Sequence, residues 1–442
     1  LAVAVVLPLG IIALVRRTGS VQRLALSVSA LVMTAWIAVP SFFILAGMGV
    51  STLARSWSVA TSPEVDEGAM RLTLAATLAL AVIALGVWAL SLGTTHAGGR
   101  AALATTARWI AVPVAAGVPL VVPGGTWALI GCALAISVAA SLALLLIPGI
   151  RTANLTVRGP LATIAYGAIV EAVLFSWPDA ATAALAGAAS VGALALAART
   201  AGPPIRPLHT VIGFGYALVV GAAALSLTEL TVLPILCLLT SAAAIVAIVA
   251  SLTFWLPVGS WYAVLGLTGV PSAIGIVSVL IERSGWTALS TGVIFLLAAT
   301  LLLTRRSGAS LALRAGAASL LVPSLAVVVV CLAAQLLPVS GSPYALVVIA
   351  VLVACSLPTT GLVRAALIRY GLPEGTADAV RLGIESSALL TGAIAVVLSL
   401  VRDAAGLHIA FTVLLILGLG AAATALWMHR RYGWWTAGAA WT

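Results

Sequence analysis

Long, uninterrupted apolar runs recur along this 442-residue chain and constrain its fold more than any other feature. Hydrophobic residues make up 63% of the sequence and charged residues only 7%, too few to cover the surface of a water-soluble domain of this length. A helical run of about 20 apolar residues spans the hydrocarbon core of a bilayer. Helices are favoured over strands because backbone groups in lipid must be hydrogen-bonded within the segment. We therefore predict an all-α, polytopic integral membrane protein.

Arg, Pro, Gly and acidic residues mark the ends of the apolar runs. The number of runs bounded in this way predicts about 15 transmembrane helices. The loops between them are short, so we expect no soluble domain. We divide the chain into an N-terminal transmembrane half, 1–207, and a C-terminal transmembrane half, 208–442. The predicted spans are 1–15, 24–50, 71–95, 109–122, 126–149, 160–177, 180–198, 208–228, 231–255, 260–281, 287–304, 316–337, 343–363, 382–401 and 407–428.

Two places in this pattern predict departures from simple spans. The stretch 364–381 between two spans has room for a short helix lying along the membrane surface. Pro271, flanked by three nearby glycines, predicts a broken helix because proline removes one helical hydrogen bond.

The arginines predict the orientation of the chain. All 21 basic residues are arginine, and 17 of them fall on one side if successive loops alternate between the two sides. Basic residues concentrate in cytoplasmic loops, so we place that side, and the carboxyl end, in the cytoplasm of a bacterial cell. The arginines lie singly or in pairs between apolar runs, a pattern that indicates a bilayer partner and argues against nucleic-acid binding.

The residues that usually carry catalysis or metal binding do not form recognisable motifs. The four cysteines lie inside apolar runs without a Cys-x-x-Cys pair, and the four histidines are scattered. The chain has no lysine, so it contains no phosphate-binding Gly-x-x-x-x-Gly-Lys segment. We therefore predict no metal site, no cofactor and no catalytic residue, and we favour a transporter over an enzyme.

Ionisable side chains inside predicted spans are the candidates for substrate binding or coupling, because a charge in lipid is costly and persists chiefly beside a cavity or partner. Glu171 lies near the middle of the span 160–177, one to two turns after Tyr166. We predict that Glu171 is the coupling or substrate-contacting carboxylate of a transporter; the alternative is a neutral carboxyl that is hydrogen-bonded between helices.

A second group of candidates lies near the predicted inner surface. Glu385 begins the predicted span 382–401, four residues after Arg381, so the two side chains share one helical face and form a salt bridge. Arg364 closes the preceding span and either extends to the interface or pairs with Glu385.

An external acidic cluster suggests an alternative function. Glu64, Asp66 and Glu67 form the densest acidic patch of the chain, in a predicted outer loop. Carboxylates in such a loop serve catalysis or metal binding in membrane glycosyltransferases that use a polyprenyl-phosphate donor, although a solvated loop has the same composition. A third hypothesis is a non-catalytic membrane subunit of an envelope or secretion complex.

From about residue 260 onward the sequence resembles the C-terminal half of a major facilitator superfamily transporter. Six predicted helices follow in order, with an Arg305-Arg306-Ser307-Gly308 turn after the second and a Pro358-Thr359-Thr360-Gly361 break in the fourth. The resemblance implies a transporter. Our leading hypothesis is a multi-pass transporter or lipid-linked substrate flippase in the cell membrane, working by alternating access and coupled to protons, whose small-molecule or lipid-linked substrate the sequence does not identify.

Overall fold

The structure, a computed structural model, describes residues 20–57, 67–93, 97–123, 125–281, 284–306, 308–336, 344–401 and 406–441. Every regular element in these ranges is helical, and no strand occurs in them. The all-α prediction is confirmed. The predicted span 1–15 lies outside the described residues.

Sixteen helices account for nearly all of the described chain, and they are numbered here in chain order. They are α1 Ser20–Trp57, α2 Glu67–Gly93, α3 Ala97–Val121, α4 Gly125–Leu146, α5 Pro148–Arg151, α6 Leu155–Ser176, α7 Ala180–Thr200, α8 Arg206–Leu225, α9 Val232–Thr253, α10 Val258–Ile281, α11 Gly285–Leu303, α12 Leu311–Leu336, α13 Tyr344–Arg369, α14 Glu374–Val401, α15 Gly406–Met428 and α16 Arg431–Trp441.

Thirteen of these helices are long and apolar enough to cross a membrane, and α10 contributes a shorter apolar stretch, Val258–Val270. These fourteen helices correspond one to one with the predicted spans from 24–50 onward. Large apolar side chains point outward along them, such as Phe43 and Leu85, each 67% exposed. Because lipid, unlike water, makes such exposure favourable, the protein is a multi-pass membrane protein whose helices contact the bilayer.

The described helices pack as two units, and the chain divides after Leu227. In the first unit α2 packs against α3, α4 against α6, and α7 against α8. One buried cluster joins α4 to α6, and it includes Ala133, Ala172 and Phe175. The division of the chain at 207 and 208 stays a prediction.

In the second unit α12 packs against α11 and α14, and α13 packs against α14 and α15. A Cβ added at Gly420 of α15 would lie 2.5 Å from the Cα of Ala354 in α13, so only glycine permits this approach. Pro358 has no N–H, which leaves the carbonyl of Ala354 without its helical partner. Helix α13 therefore packs against α15 at a position where one carbonyl of α13 lacks its helical hydrogen bond.

The connection from α13 to α14 is a four-residue turn, so the predicted surface helix at 364–381 is wrong. Gly371 has a φ of +97° and follows Tyr370 at the end of α13. The N–H of Gly371 donates to the carbonyl of Ile368, and the N–H of Leu372 to that of Leu367. This is the glycine-terminated pattern that closes helices, and Pro373 then prevents α13 from continuing. The turn reverses the chain and places the two helices side by side.

Helix α14 begins at Glu374, eight residues before its predicted start at 382, and α13 extends to Arg369. The prediction ended both spans at their charged residues because an isolated charge is unfavourable in lipid. These charges are instead paired with one another, which allows them to remain inside helices.

Helix α10 is one continuous helix across Pro271, so the predicted break there is wrong. Proline removes a single backbone hydrogen bond, and a helix in lipid retains its remaining bonds because no water competes for them.

Candidate functional site

One face of α14 carries four charged residues. Glu374, Asp378, Arg381 and Glu385 follow one another at spacings of four, three and four, and residues at such spacings share one side of a helix. Acidic Glu374 lies in the first turn, where the helix dipole favours a negative charge. The face therefore extends from the exposed start of α14 into its membrane-spanning part.

Four side chains of this region form what we term the charge network: Arg364 of α13, with Asp378, Arg381 and Glu385 of α14. The Nε of Arg364 lies 2.8 Å from Oδ1 of Asp378. The same carboxylate oxygen lies 3.1 Å from Nη1 of Arg381, whose Nε lies 3.6 Å from Oε1 of Glu385. Two cations and two anions alternate, so the network carries no net charge.

Thr360 connects the inner end of this network back to α13. Its hydroxyl lies 3.1 Å from Oε1 of Glu385 and 2.8 Å from the carbonyl oxygen of Leu357. A hydroxyl has one hydrogen, so donation to Glu385 and donation to Leu357 are alternatives. Thr360 and Arg364 lie one turn apart on α13, and the network therefore joins the two helices at two levels.

Exposure falls along the network from the helix ends inward. The side chains of Arg364 and Asp378 are 32% and 38% exposed, that of Arg381 is 14% exposed, and that of Glu385 is 6% exposed. Glu385 lies eleven residues, or about 16 Å, along α14 from its first residue. A series of charged groups thus connects the accessible end of the helix pair with a buried carboxylate.

A third helix approaches Glu385 through Tyr432. Helix α16 packs against α15 and carries Tyr432 in its first turn. The Tyr432 hydroxyl is buried and has no well-aligned hydrogen-bond partner among the described residues. Burial and the negative charge of Glu385 raise the pKa of Tyr432, so this hydroxyl keeps its proton. Because it keeps its proton, it is available as a donor to Glu385.

The structure confirms the predicted pairing of Arg381 with Glu385 on one helical face. It does not pair Arg364 with Glu385, because Asp378 lies nearer to both arginines. The statement that Glu385 begins its helix is also wrong, since Glu385 lies three turns inside α14.

The candidates in the first unit, Tyr166 and Glu171, do not form one site. The Tyr166 hydroxyl lies 2.5 Å from Nε2 of His209 in α8 and 3.4 Å from the carbonyl oxygen of Ala197 in α7. Glu171 is partly buried on α6, interacts electrostatically with Cys132 of α4, and makes no hydrogen bond or ion pair within the described part of the chain. Five positions on a helix separate two side chains by about 140°, which explains why they contact different neighbours.

The external acidic cluster is largely outside the described residues. Glu64 and Asp66 lie there entirely, and Glu67 is described only as the first residue of α2. Within the described ranges, no three His, Cys, Asp or Glu side chains come together in a way that could hold a metal ion.

The basic turn between α11 and α12 is ordered by Arg306. This side chain is 6% exposed and donates to the carbonyl oxygen of Ala250, at 2.9 Å, and to that of Leu256. Its guanidinium also lies 4.9 Å from the ring centre of Trp261. Burial lowers the pKa of Arg306, whereas the carbonyls near the end of α9 attract its charge. Arg306 therefore holds the turn against the ends of α9 and α10.

Comparisons with known proteins identify no relative of this chain, because no protein family, no curated protein and no solved structure matches it.

Three members of the site were not predicted from the sequence: Asp378, Thr360 and Tyr432. The signal for Asp378 was present in the spacing of charges from 374 to 385, but it was divided between a predicted loop and a predicted span. Thr360 and Tyr432 gave no comparable signal, because their relation to Glu385 depends on the turn at Gly371 and on the packing of α16.

Proposed function

We propose that this protein is a transporter or a flippase for a lipid-linked substrate, that it works by alternating access, and that Glu385 is its coupling carboxylate. The observation that carries the proposal is the position of Glu385: buried in a membrane-spanning helix, yet connected through Arg381 and Asp378 to the exposed end of that helix. Charged groups retained in a membrane at the cost of insertion commonly mark substrate or ion pathways.

The network supports coupling because a proton on Glu385 weakens an ion pair within α14 and a hydrogen bond that joins α14 to α13. A neutral carboxyl no longer attracts Arg381 strongly, and Arg381 keeps its second partner, Asp378, at 3.1 Å. Thr360 of α13 and Tyr432 of α16 remain beside the carboxyl group. A hydrogen bond to a charged carboxylate is stronger than one to a neutral carboxyl, so the protonation state of Glu385 sets how strongly Thr360 holds α13 to α14. A transporter needs a two-state element of this kind.

The helical hydrogen bond that Pro358 cannot make supports bending of α13 close to Thr360. Pro358 lies two residues before Thr360, and proline in a helix permits bending there. A bend in α13 at Pro358 would move the Thr360 hydroxyl relative to Glu385. Discontinuous or bent helices commonly form the binding sites of secondary transporters.

We place the protein in the cell membrane of a bacterium, with the arginine-rich loops and the carboxyl end in the cytoplasm. In this orientation the exposed end of the charge network faces the cytoplasm. The substrate is a small molecule or a lipid-linked molecule, and the major facilitator resemblance of the C-terminal half agrees with either. Glu171 remains a second candidate for a coupling group.

The experiment is transport by the purified chain in liposomes, measured as charge movement on a solid-supported membrane. A panel of small polar solutes is applied under an imposed pH gradient, and flipping of fluorescently labelled lipids is measured in parallel. The unsubstituted protein should give a substrate-dependent signal, and Glu385→Gln should reduce it at least about tenfold, a typical effect of losing a group that transfers a proton.

Glu229→Gln is the matched control, because Glu229 is exposed in the loop between α8 and α9 and lies outside the network. It should transport like the unsubstituted protein. Undiminished transport by Glu385→Gln would contradict the proposal.

A further inference from the structure

The turn between α7 and α8 carries an unbalanced positive charge. Arg199 lies in the last turn of α7, and Arg206 is the first residue of α8. Both side chains are exposed, and neither makes an ion pair or hydrogen bond within the described part of the chain. The described carboxylates nearest in sequence are Asp179, before the opposite end of α7, and Glu229, beyond the opposite end of α8.

A third arginine is fixed beside the same turn. The Nη2 of Arg158, near the start of α6, donates to the carbonyl oxygen of Thr200 at a distance of 3.0 Å. This bond uses one of the five guanidinium N–H groups and leaves others free to bind an anion. Three arginines from three helices therefore lie at or beside this turn.

The turn is held rigidly, so the arginines are presented by an ordered backbone. His209 of α8 bonds with its Nδ1 to the carbonyl oxygen of Ile205, at 2.9 Å, and with its Nε2 to the Tyr166 hydroxyl of α6. A carbonyl only accepts, so Nδ1 carries the hydrogen, and in the neutral ring Nε2 accepts from Tyr166. This pair of bonds fixes the start of α8 against α6.

An apolar stripe begins at this turn and continues along α8. Ile205, Leu208 and Ile212 are 50%, 56% and 49% exposed, and their spacing of three and four places them on one face of the helix. Positive charge at the end of such a face matches a phospholipid, whose phosphate lies at the membrane surface and whose acyl chains run into the membrane. A free phosphate ion would gain nothing from the stripe.

We infer that the α7–α8 turn, with Arg158, Arg199 and Arg206, binds the phosphate of an anionic phospholipid whose acyl chains lie along α8. The inference is independent of the transport proposal, because it uses a different unit of the protein. It also assigns a role to the Tyr166–His209 pair, which positions the turn and does not itself contact the phosphate.

The test is lipid retention by the full chain, measured by native mass spectrometry and by thermal unfolding in detergent with added lipid. The probes are phosphatidylglycerol, cardiolipin, phosphatidylcholine and inorganic phosphate. Each arginine near an anionic surface contributes about a fivefold change in affinity, so the double variant Arg199→Gln/Arg206→Gln should bind the two anionic lipids at least about tenfold more weakly. Phosphatidylcholine and inorganic phosphate should neither stabilise the protein nor compete.

Arg151→Gln is the matched control for the single variants Arg199→Gln and Arg206→Gln, each of which should weaken anionic-lipid binding about fivefold. Arg151 is exposed in α5, which precedes α6, and its substitution by glutamine removes one positive charge. The control should retain anionic lipid, and the double Arg→Lys variant at 199 and 206 should retain most of it.

Three results would overturn the inference. An equal loss of lipid binding in Arg151→Gln would indicate diffuse attraction, and competition by inorganic phosphate would indicate a soluble anion. Unchanged lipid binding with an altered oligomeric state in the double variant would indicate that a second copy of the chain covers α8. Circular dichroism and elution volume establish that each variant is folded.

Discussion

Thr360 and Glu385, 25 positions apart in the sequence, meet across the interface of α13 and α14, where the threonine hydroxyl lies 3.1 Å from a carboxylate oxygen. The contact gives the buried carboxylate a neutral partner in addition to the charged Arg381. Glu385 can therefore lose the attraction of Arg381 without becoming an isolated polar group. This is the physical basis of the coupling role that we propose.

The network predicts unequal effects from removing its two inner charges. Arg381 contacts two carboxylates, whereas Glu385 contacts one cation. Arg381→Gln should lower the free energy of unfolding by about 3 kcal/mol or more, because it leaves Glu385 buried without a positive partner. Glu385→Gln should cost less, because Arg381 keeps Asp378. Thermal unfolding in detergent, followed by tryptophan fluorescence, measures both.

The double variant Arg381→Gln/Glu385→Gln completes this comparison. It should be more stable than Arg381→Gln alone, since it removes the unpaired charge. If the two single losses simply add in the double variant, the pair is not coupled and this description of the network is wrong.

The turn between the two helices predicts a glycine requirement at one position. Gly371 has a φ of +97°, so Gly371→Ala should destabilise the protein by about 1 to 2 kcal/mol, the cost of a left-handed conformation for a residue with a side chain. Gly375→Ala is the control, because Gly375 is helical and a Cβ there meets nothing within 4 Å. The control should be neutral or stabilising by up to about 1 kcal/mol. Equal melting temperatures for the two variants would show that the turn tolerates a side chain.

The fold was largely predictable from the sequence, and the site only in part. Apolar run length and the need to satisfy backbone groups in lipid predict the helical spans, and fourteen of them correspond to described helices. The predicted helix ends at 364–381 were wrong because lipid excludes unpaired charges, whereas the charges at Arg364, Asp378 and Arg381 are paired. The turn at Gly371 and Pro373 brings Arg364 close to Asp378. The sequence alone does not show this contact between two helices.

The burial of Arg306 predicts that substitutions of Arg306 and of adjacent Arg305 change stability by different amounts. Arg306 donates to two carbonyls and lies against Trp261, whereas exposed Arg305 lies 4.5 Å from the ring centre of Tyr370. Lysine provides a single nitrogen and no planar group, so Arg306→Lys should destabilise the protein by about 1.5 to 3 kcal/mol, the value of one charged hydrogen bond. Arg305→Lys should have a much smaller effect on the melting temperature. Similar losses for both would contradict the described burial of Arg306.

The threading of the chain predicts which engineered cysteines react from the same side of the membrane. Gly98 and Ser310 are exposed near the starts of α3 and α12, on the side where the predicted topology places most arginines. Gly98→Cys and Ser310→Cys should both react with a membrane-impermeant maleimide only from the cytoplasmic side of oriented vesicles. Labelling of the two from opposite sides would contradict the topology.

The most direct test of the coupling role is infrared difference spectroscopy of the reconstituted protein during a change of pH. A carboxyl group that gains a proton in a buried site gives a C=O stretching band distinct from that of an exposed acid. If Glu385 is the group that exchanges a proton, such a band should appear on acidification, be absent from Glu385→Gln and be retained in Glu229→Gln. A band that persists unchanged in Glu385→Gln, or its absence from the unsubstituted protein, would contradict the assignment of Glu385 as the group that exchanges a proton.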